Sequence, residues 1–420
     1  MIAYPESVQY LYALGNEIKS SKLGLERISA LMAAMDHPEL AFRVVHVAGT
    51  NGKGSTCAMI ERAVREAGHR TGLYTSPHLV EPTERIRIGG RDLSREEFTA
   101  AFEVVRSVAS RLLDEGVIDM HPTYFETVTA MAFHAFRQAG VEWAVVEVGL
   151  GGRLDATNVV RPALAVITPV DFDHEAWLGS SLDAIAGEKA GILKHGAPAV
   201  IAPQHPEAMR RIEREAAAAG VRLAVPGASA VSGVRIDAFR SRFHAFGLNI
   251  DCPLAGEHQV MNALTAVTAL RELGVAGGAI EKGIAAASWP GRLERVARNP
   301  DIILDGAHNP SGVRALAAYI RRFFGGRRVW LIYGTMRDKS VEEIGDMLSP
   351  VASEVILTAP DSPRALRPEA LLPLFDHPNV RTAPNLGEAL AIAREAAAGD
   401  VVFITGSLYL VGEARPLFVQ

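Results

Sequence analysis

The sequence predicts an α/β protein with a large N-terminal domain, built on a central and mostly parallel sheet, and a smaller C-terminal α/β domain. Three observations carry this expectation. The runs RVVHVA (43–48), EWAVVEVG (142–149) and PALAVITPV (162–170) are apolar through most of their length, as strands covered by helices on both faces are. Glycine-rich turns follow the first two, and the first leads into a stretch of helical spacing. The pattern then restarts after Pro290–Gly291, a pair that breaks regular structure. Beyond it DIILDGAH (301–308), RVWLIYG (328–334), EVILTAP (354–360) and VVFITGSL (401–408) alternate with helical segments. A chain of 420 residues is too long for one ordinary core, so domains are expected at 1–290 and 291–420. VRLAV, VSGVRIDAF and RSRFHAFGLNI mark a small β-rich excursion around 220–252 within the first.

The first strand ends at Gly49, and STCAMIERAVREAG beyond it spaces Met59, Ile60, Ala63, Val64 and Ala67 for one buried helix face. Between them stands GTNGKG. Glycines at such a junction turn backbone N–H groups toward the positive end of a helix, where phosphate is stabilised. The familiar order places a hydroxyl directly after the lysine, G-x-x-x-x-G-K-[ST]. Here Gly54 takes that place and reads as part of the turn, with Ser55 and Thr56 opening the helix. The bland alternative is a glycine-rich turn with no ligand. Lys53 favours the phosphate reading. Only seven lysines occur in a chain whose other cations are arginines, and a compact ammonium approaches phosphate oxygens where a planar guanidinium fits poorly.

Composition narrows the classes. The formal charge is −5, from 43 basic and 48 acidic residues, and 48% of residues are hydrophobic. No concentrated basic face points to nucleic acid. Two cysteines cannot make a disulfide scaffold. No apolar stretch approaches the ~20 residues that span a bilayer, and the N-terminal run lacks a signal-peptide pattern. A soluble cytoplasmic protein without nucleic-acid or membrane partners is expected, with a monomer as the default.

Other residues with chemical potential cluster at strand ends. Glu147 ends a buried strand, where a carboxylate is costly unless paired or ligated. His174 follows the next strand in VDFDHEAWLG, beside Asp171 and Asp173. Glu147 with His174 is a candidate magnesium pair; equally, they read as a salt-bridge partner and a helix cap. Lys189, in GEKAGILK, reads locally as a surface lysine paired with Glu188. In the second domain, Asp305 suits a ribose hydroxyl and His308 a phosphate or substrate, while Asp305 and Asn309 also read as helix caps. His258, Gln259 and Asn262 open a helix, as base-edge contacts or as buried backbone partners. Arg292 follows the domain break, and Thr335, Arg337, Asp338 and Lys339 lie beyond a second-domain strand.

Taken in order, AGTNGKGSTC, YTSPHLVEPTERIRIGG, TYFETVT, VVEVGLGGRLDATN, DHEAWLG, EKAGI, HQVMNALTA, PGRLE, LDGAHNP and GTMRDKS resemble the bacterial bifunctional folylpolyglutamate synthase/dihydrofolate synthase family, within the Mur-type ATP-dependent amide ligases. The resemblance runs over most of the chain. It implies a P-loop ATP-binding N-terminal domain and a Rossmann-like C-terminal one, with ATP between them. ATP contacts carry over to Asn51, Gly52, Lys53, Gly54 and Ser55, and to Asn262, Arg292 and Asp305. Magnesium ligands carry over to Ser76, Glu147 and His174. Lys189 matches a lysine that the family holds as a carbamate, an anionic oxygen ligand, which reverses its local reading.

The folate-binding segments match Leu154, Asp155 and Ala156, and Thr123, Tyr124, Phe125 and Glu126, with Phe125 suited to stacking on a pterin. Gly24 and Leu25 are expected near that pocket. Ser76, Pro77 and His78 form a TSPHL loop, read as flexible and ordering with folate. The implied reaction joins L-glutamate to dihydropteroate or to a reduced folate through an acyl phosphate, using Mg-ATP, with Lys53 offsetting charge. His308 is a candidate acceptor of the amine's proton, alongside substrate phosphate or solvent. A related ligase acting on a nucleotide-linked cell-wall precursor, a P-loop hydrolase or switch, and a non-catalytic nucleotide-binding scaffold are the alternatives.

Overall fold

In the computed structural model, which describes residues 3–15, 24–337 and 341–419, eight short strands form the sheet of the first of two units. They are β1 (Arg43–Ala48), β2 (Thr71–Tyr74), β3 (Ile86–Ile88), β4 (Arg91–Asp92), β5 (Trp143–Glu147), β6 (Leu164–Ile167), β7 (Ala199–Ile201) and β8 (Leu223–Ala224). Their order is β4-β3-β2-β5-β1-β6-β7-β8, and only β3, which pairs antiparallel with β2 and with β4, runs against the others. The mostly parallel sheet is as expected. VRLAV, however, supplies β8 at the edge of this sheet and is no part of the β-rich excursion.

Helices α1 (Tyr4–Ala13), α2 (Glu26–Ala34), α3 (Lys53–Glu66), α4 (Arg95–Asp114), α5 (Tyr124–Gln138), α6 (Glu175–Leu178), α7 (Leu182–Ala190), α8 (Pro206–Ala219), α9 (His258–Glu272) and α10 (Gly277–Ala285) follow in chain order. α4 opens with Ser94 and α5 with Thr123, each in a capping box with the glutamate three residues on. Phe98 and Phe102 of α4 and Phe133 and Phe136 of α5 are fully buried, each contributing about 1.5–3 kcal/mol. With Tyr74 and Val146 they belong to one core cluster. A second joins Ile167 and Ile201 of the sheet to Ile185 of α7 and Ile212 of α8.

α3 buries Met59, Ile60, Ala63 and Val64 as the spacing predicts, but Ala67 is exposed because the helix has already ended at Glu66. α10 packs on this helix at very close range: a Cβ on Gly283 would stand 2.2 Å from the Ala63 Cα. Only a glycine fits there.

The second unit comprises Val231–Met261 and the chain from Ala287 onward. β9 (Val231–Ile236), β10 (Ser241–Ala245) and β11 (Leu248–Cys252) form an antiparallel sheet in the order β11-β10-β9. By compactness these strands group with the C-terminal part, whereas the sequence placed them inside 1–290. The larger sheet holds β12 (Glu294–Ala297), β13 (Asp301–Leu304), β14 (Val329–Tyr333), β15 (Glu354–Leu357), β16 (Val380–Thr382) and β17 (Val401–Thr405) in the order β12-β13-β17-β14-β15-β16. All but β12 are parallel. α11 (Pro310–Phe324) buries Val313, Leu316 and Ile320 in this unit's core. Among the described residues no helix is long and apolar enough to cross a membrane.

Candidate nucleotide and acceptor site

At the carboxyl end of β1 the chain turns through Gly49 (φ +144°) and Gly52 (φ +84°) into α3. Side chains are excluded at both. A Cβ on Gly49 would stand 1.9 Å from Thr168 Oγ1, and one on Gly52 would stand 2.3 Å from Asn262 Oδ1. The second contact puts Asn262, singled out from the sequence, directly against the phosphate loop. The helix begins at Lys53, so Lys53 and Gly54 already belong to its first turn, two residues ahead of the expected opening at Ser55. Lys53 Nζ donates to the Thr50 carbonyl at 3.1 Å. Thr50 is itself fixed: its Oγ1 donates to the Asp171 carbonyl (2.9 Å), and its N–H reaches the Pro169 carbonyl (2.9 Å). The Asn51 N–H shares that Pro169 oxygen at 3.3 Å.

Lys189 is no surface lysine. It is 4% exposed on α7, and its Nζ donates to the Gly49 carbonyl at 2.9 Å, 140 residues away in sequence. Glu188 pairs with Arg153 instead. Burial, with the Lys53 ammonium adding to it, brings the Lys189 pKa down to about 7, against the pull of Asp173 and Asp155. Its amine therefore spends much of its time unprotonated at neutral pH.

Glu147 ends β5 with only 4% exposure, and its Oε2 accepts from the Ser76 N–H at 3.2 Å. Two of the expected magnesium ligands are thus together. Their oxygens are the hard donors that such an ion takes, so the donor chemistry fits. His174 stands in the left-handed region (φ 54°) just before α6, with Nε2 3.9 Å from Asp173 Oδ1. Among the described residues, no three His, Cys, Asp or Glu side chains gather into a metal-holding group.

Hydrogen bonds gather at the end of the TSPHL loop and just beyond it. The Glu84 carboxylate accepts from the N–H groups of Leu79 (2.8 Å), Val80 (3.0 Å) and Glu81 (2.9 Å). The Ser76–Pro77 bond is cis. His78 Nδ1 accepts from Arg85 Nε at 2.9 Å, which leaves the proton on Nε2, 3.3 Å from the Tyr12 hydroxyl. Burial and the adjacent Arg85 hold the His78 pKa down to about 3, so the ring is neutral.

The residues matched to folate binding have structural work of their own. Thr123 and Glu126 cap α5 reciprocally, and Glu126 Oε2 also receives Arg27 Nε at 3.2 Å in a buried pair. Glu126 Oε1 is buried without a partner. Phe125 wedges against Gly149, where a Cβ would stand 2.5 Å from its ring, and packs 5.9 Å from Tyr74. Tyr124 stacks on Tyr12 at 5.6 Å, with the Arg85 guanidinium 4.9 Å from its ring centroid. Asp155 is buried, and its carboxylate accepts from the Gly149 (3.0 Å), Leu150 (2.9 Å) and Thr157 (3.0 Å) N–H groups and from the Thr157 hydroxyl. It ties its own loop together. Leu154 is exposed, Ala156 is buried, and Gly24 and Leu25 lie just before α2.

In the second unit, the strand-to-helix junction after β13 gathers Arg292, Asp305 and His308. The buried Asp305 carboxylate accepts from Leu293 N (3.0 Å) and Ala307 N (3.0 Å). Burial pushes its pKa up, opposed by Arg292 and by these donors. Arg292 Nη1 would meet a Cβ on Gly306 at 2.5 Å, and His308 Nδ1 donates to the Gly306 carbonyl at 2.8 Å. Asn309 caps α11, accepting from Gly312 N at 2.8 Å. Burial, then Arg292, lowers the His258 pKa to about 4. Of the candidates after β14, Thr335 is buried, while Asp338 and Lys339 lie outside the described residues. Sequence reasoning missed Thr168, Glu84 and the Arg27–Glu126 pair. Only the capping-box spacing of Thr123 and Glu126 gave a local signal.

A phosphate loop at the end of a parallel strand, in a chain that carries a second open sheet with Arg292 and His308 gathered about a buried Asp305, defines a Mur-type ligase. The Mur ligase middle domain model matches residues 47–270, and the Mur ligase, glutamate ligase domain model matches residues 291–408. Dihydrofolate synthase/folylpolyglutamate synthase of Mycobacterium tuberculosis is 39% identical, over 94% of this chain and 90% of its own. That of Bacillus subtilis is 36% identical, over 94% of each. Among solved structures, M. tuberculosis folylpolyglutamate synthase complexed with ADP and AMPPCP superposes with a TM-score of 0.92 at 36% identity, covering 99% of each chain. E. coli FolC in complex with DHPP and ADP gives 0.88 at 33%, again covering 99% of each. The chain belongs to the dihydrofolate synthase/folylpolyglutamate synthase family.

Proposed function

We propose that this enzyme, an ATP-dependent ligase that adds L-glutamate to dihydropteroate, to reduced folates or to both, activates its acceptor at the carboxyl ends of β1 and β5. The observation that carries the site assignment is the meeting of three groups there. The Lys53 phosphate loop opens α3, the buried amine of Lys189 rests on Gly49, and Glu147 sits against Ser76.

An acceptor carboxylate and an ammonium at neutral pH form an ion pair, not an amide. The carboxylate therefore attacks the γ-phosphorus of ATP, giving an acyl phosphate and ADP. Glutamate's unprotonated nitrogen then attacks the acyl carbon, the C–N bond forms, and inorganic phosphate leaves with the C–O electron pair. The N-terminus of α3 and the Lys53 ammonium offset the charge that gathers on the transferring group. Ser76, Glu147 and His174 are the residues that would hold magnesium, with Lys189 added as its carbamate; a divalent ion held there would neutralise phosphate charge. Leu154, exposed on the loop that Asp155 holds, and the Tyr124–Phe125 region are assigned to the pterin. His308 is assigned to the amine's proton. A cytoplasmic monomer completes the reading.

The test is ADP release by purified enzyme with Mg-ATP and glutamate, with dihydropteroate and tetrahydrofolate supplied in turn. Acceptor carboxylate labelled with ¹⁸O should pass one label into released phosphate. ADP release that ignores both acceptors, or amide formation without label transfer, would overturn the reading.

A further inference from the structure

A histidine stands in the middle of an apolar strand. His46 of β1 is fully buried, on the sheet face that also carries Val44. A polar ring is costly there unless something holds it, and the catalytic reading does not use it. Its Nε2 lies 2.8 Å from Thr157 Oγ1, and Thr157, fully buried as well, belongs to the connection between β5 and β6. β1 lies between those two strands, so residues 148–163 must cross over it. A parallel crossover ordinarily carries an α-helix. Here Ala156–Val159 form a short 3₁₀ turn, and side chains take up the fastening.

The direction of each hydrogen bond follows from the next. The Asp155 carboxylate can only accept, and it takes the proton of the Thr157 hydroxyl. That hydroxyl has only lone pairs left for His46, so the histidine donates from Nε2. A neutral imidazole with its proton on Nε2 has a bare Nδ1, and the His46 Nδ1 is buried and makes no hydrogen bond. Burial, and Lys194 after it, bring the pKa of the ring down to about 3, so it is neutral near pH 7. The chain of donors therefore runs from His46 through Thr157 to Asp155, whose other oxygen holds the N–H groups of Gly149 and Leu150.

We infer that His46 is a positioning residue for the acceptor: through Thr157 it holds Asp155, and with it the 149–157 loop that presents Leu154, in register with the strand that feeds the phosphate loop. The inference rests on the assignment of that loop to the pterin. β1 runs from His46 directly into Gly49, so one strand fixes the phosphate loop through its backbone and the acceptor loop through a side chain. A misplacement of about 1 Å between reacting partners is enough to cost about 10²-fold in rate, which gives such a tie its value.

The experiment is steady-state kinetics of the full chain, with KM for the acceptor it turns over and KM for Mg-ATP measured separately. Thr157→Val keeps the shape of threonine and removes the hydroxyl, so acceptor KM should rise about tenfold while KM for ATP stays within about twofold. His46→Met should act in the same direction. Thr157→Ser keeps the hydroxyl and His46→Gln keeps an N–H donor, and each should recover most of the loss. Both losses pass through one hydroxyl, so the double variant His46→Met/Thr157→Val should be no worse than Thr157→Val alone. The ¹⁵N spectrum of labelled histidine, assigned by the signal lost in His46→Gln, should show His46 protonated on Nε2. Thr157→Val, being isosteric, carries the test should a change at His46 disturb the strand. Acceptor KM unmoved in Thr157→Val but raised in Asp155→Ala would overturn the inference and leave the loop's assignment standing. Acceptor KM unmoved in Asp155→Ala as well would bring down that assignment, and the inference with it. Equal rises in both KM values, additive losses in the double variant, or a ring protonated on Nδ1 would also overturn it.

Discussion

The free amine of Lys189 makes a rate that can be counted. With its pKa brought down to about 7, about half the chains carry an unprotonated amine at pH 7, against roughly three in ten thousand for an unperturbed lysine. Carbon dioxide reacts only with the lone pair. At fixed dissolved CO₂, the initial rate of carbamate formation should therefore climb about tenfold per pH unit below pH 7 and level off above it. The assay is incorporation of ¹³C from labelled CO₂, followed by the carbamate resonance and assigned by its loss in Lys189→Ala. A rate still climbing steeply between pH 8 and 10 would mean an ordinary lysine and refute the reasoning. The same burial has a cost in stability. Between pH 7 and 10.5 the unfolded chain binds the proton that the folded chain has lost, so this group's penalty is full below pH 7 and fades as pH rises through that window. The full penalty is on the order of 5 kcal/mol. In CO₂-free buffer, Lys189→Met should be more stable than the parent at pH 7, and the two should converge toward pH 10.

Four other outcomes follow from contacts already described. Lys53→Ala should cut turnover by about 10² or more while leaving folate affinity within a few fold, as the proposed assignment of Lys53 to phosphate charge and not to the pterin requires; steady-state rates with equilibrium folate binding check both. Glu147→Ala should move the magnesium concentration for half-maximal rate upward, and an unchanged titration would count against the ligand assignment. Asp155→Ala removes the acceptor of four hydrogen bonds in its own loop, so KM for the folate should rise more than KM for ATP. Gly283→Ala drives a methyl into the Ala63 backbone and should cost about 1–3 kcal/mol or more, read from the urea midpoint.

What the sequence disclosed and what it withheld divide along a physical line. RVVHVA was legible to the residue, because a buried central strand is apolar through most of its length and ends on a glycine that the turn requires. Thr71–Tyr74, Ala199–Ile201, Glu294–Ala297 and Val380–Thr382 escaped notice, since each is only three or four residues long and is a strand by virtue of its neighbours. VRLAV was misassigned for the same reason: a two-residue edge strand carries no alternation to show which sheet it joins.

Lys189 shows the limit most clearly. Its local sequence offers Glu188 as a partner, and every short-range rule pairs the two. The fold turns Glu188 toward Arg153 and sends the lysine inward to Gly49. No periodicity encodes that choice, because it depends on where two strand ends lie once β1 and β6 have paired. Lys53 was legible for the opposite reason, since the glycines that shape its surroundings are adjacent in the chain. A candidate catalytic group can therefore be read from sequence when its cradle is local. When its cradle is assembled by the sheet, the physics that makes it reactive, here burial beside another ammonium, is visible only after folding.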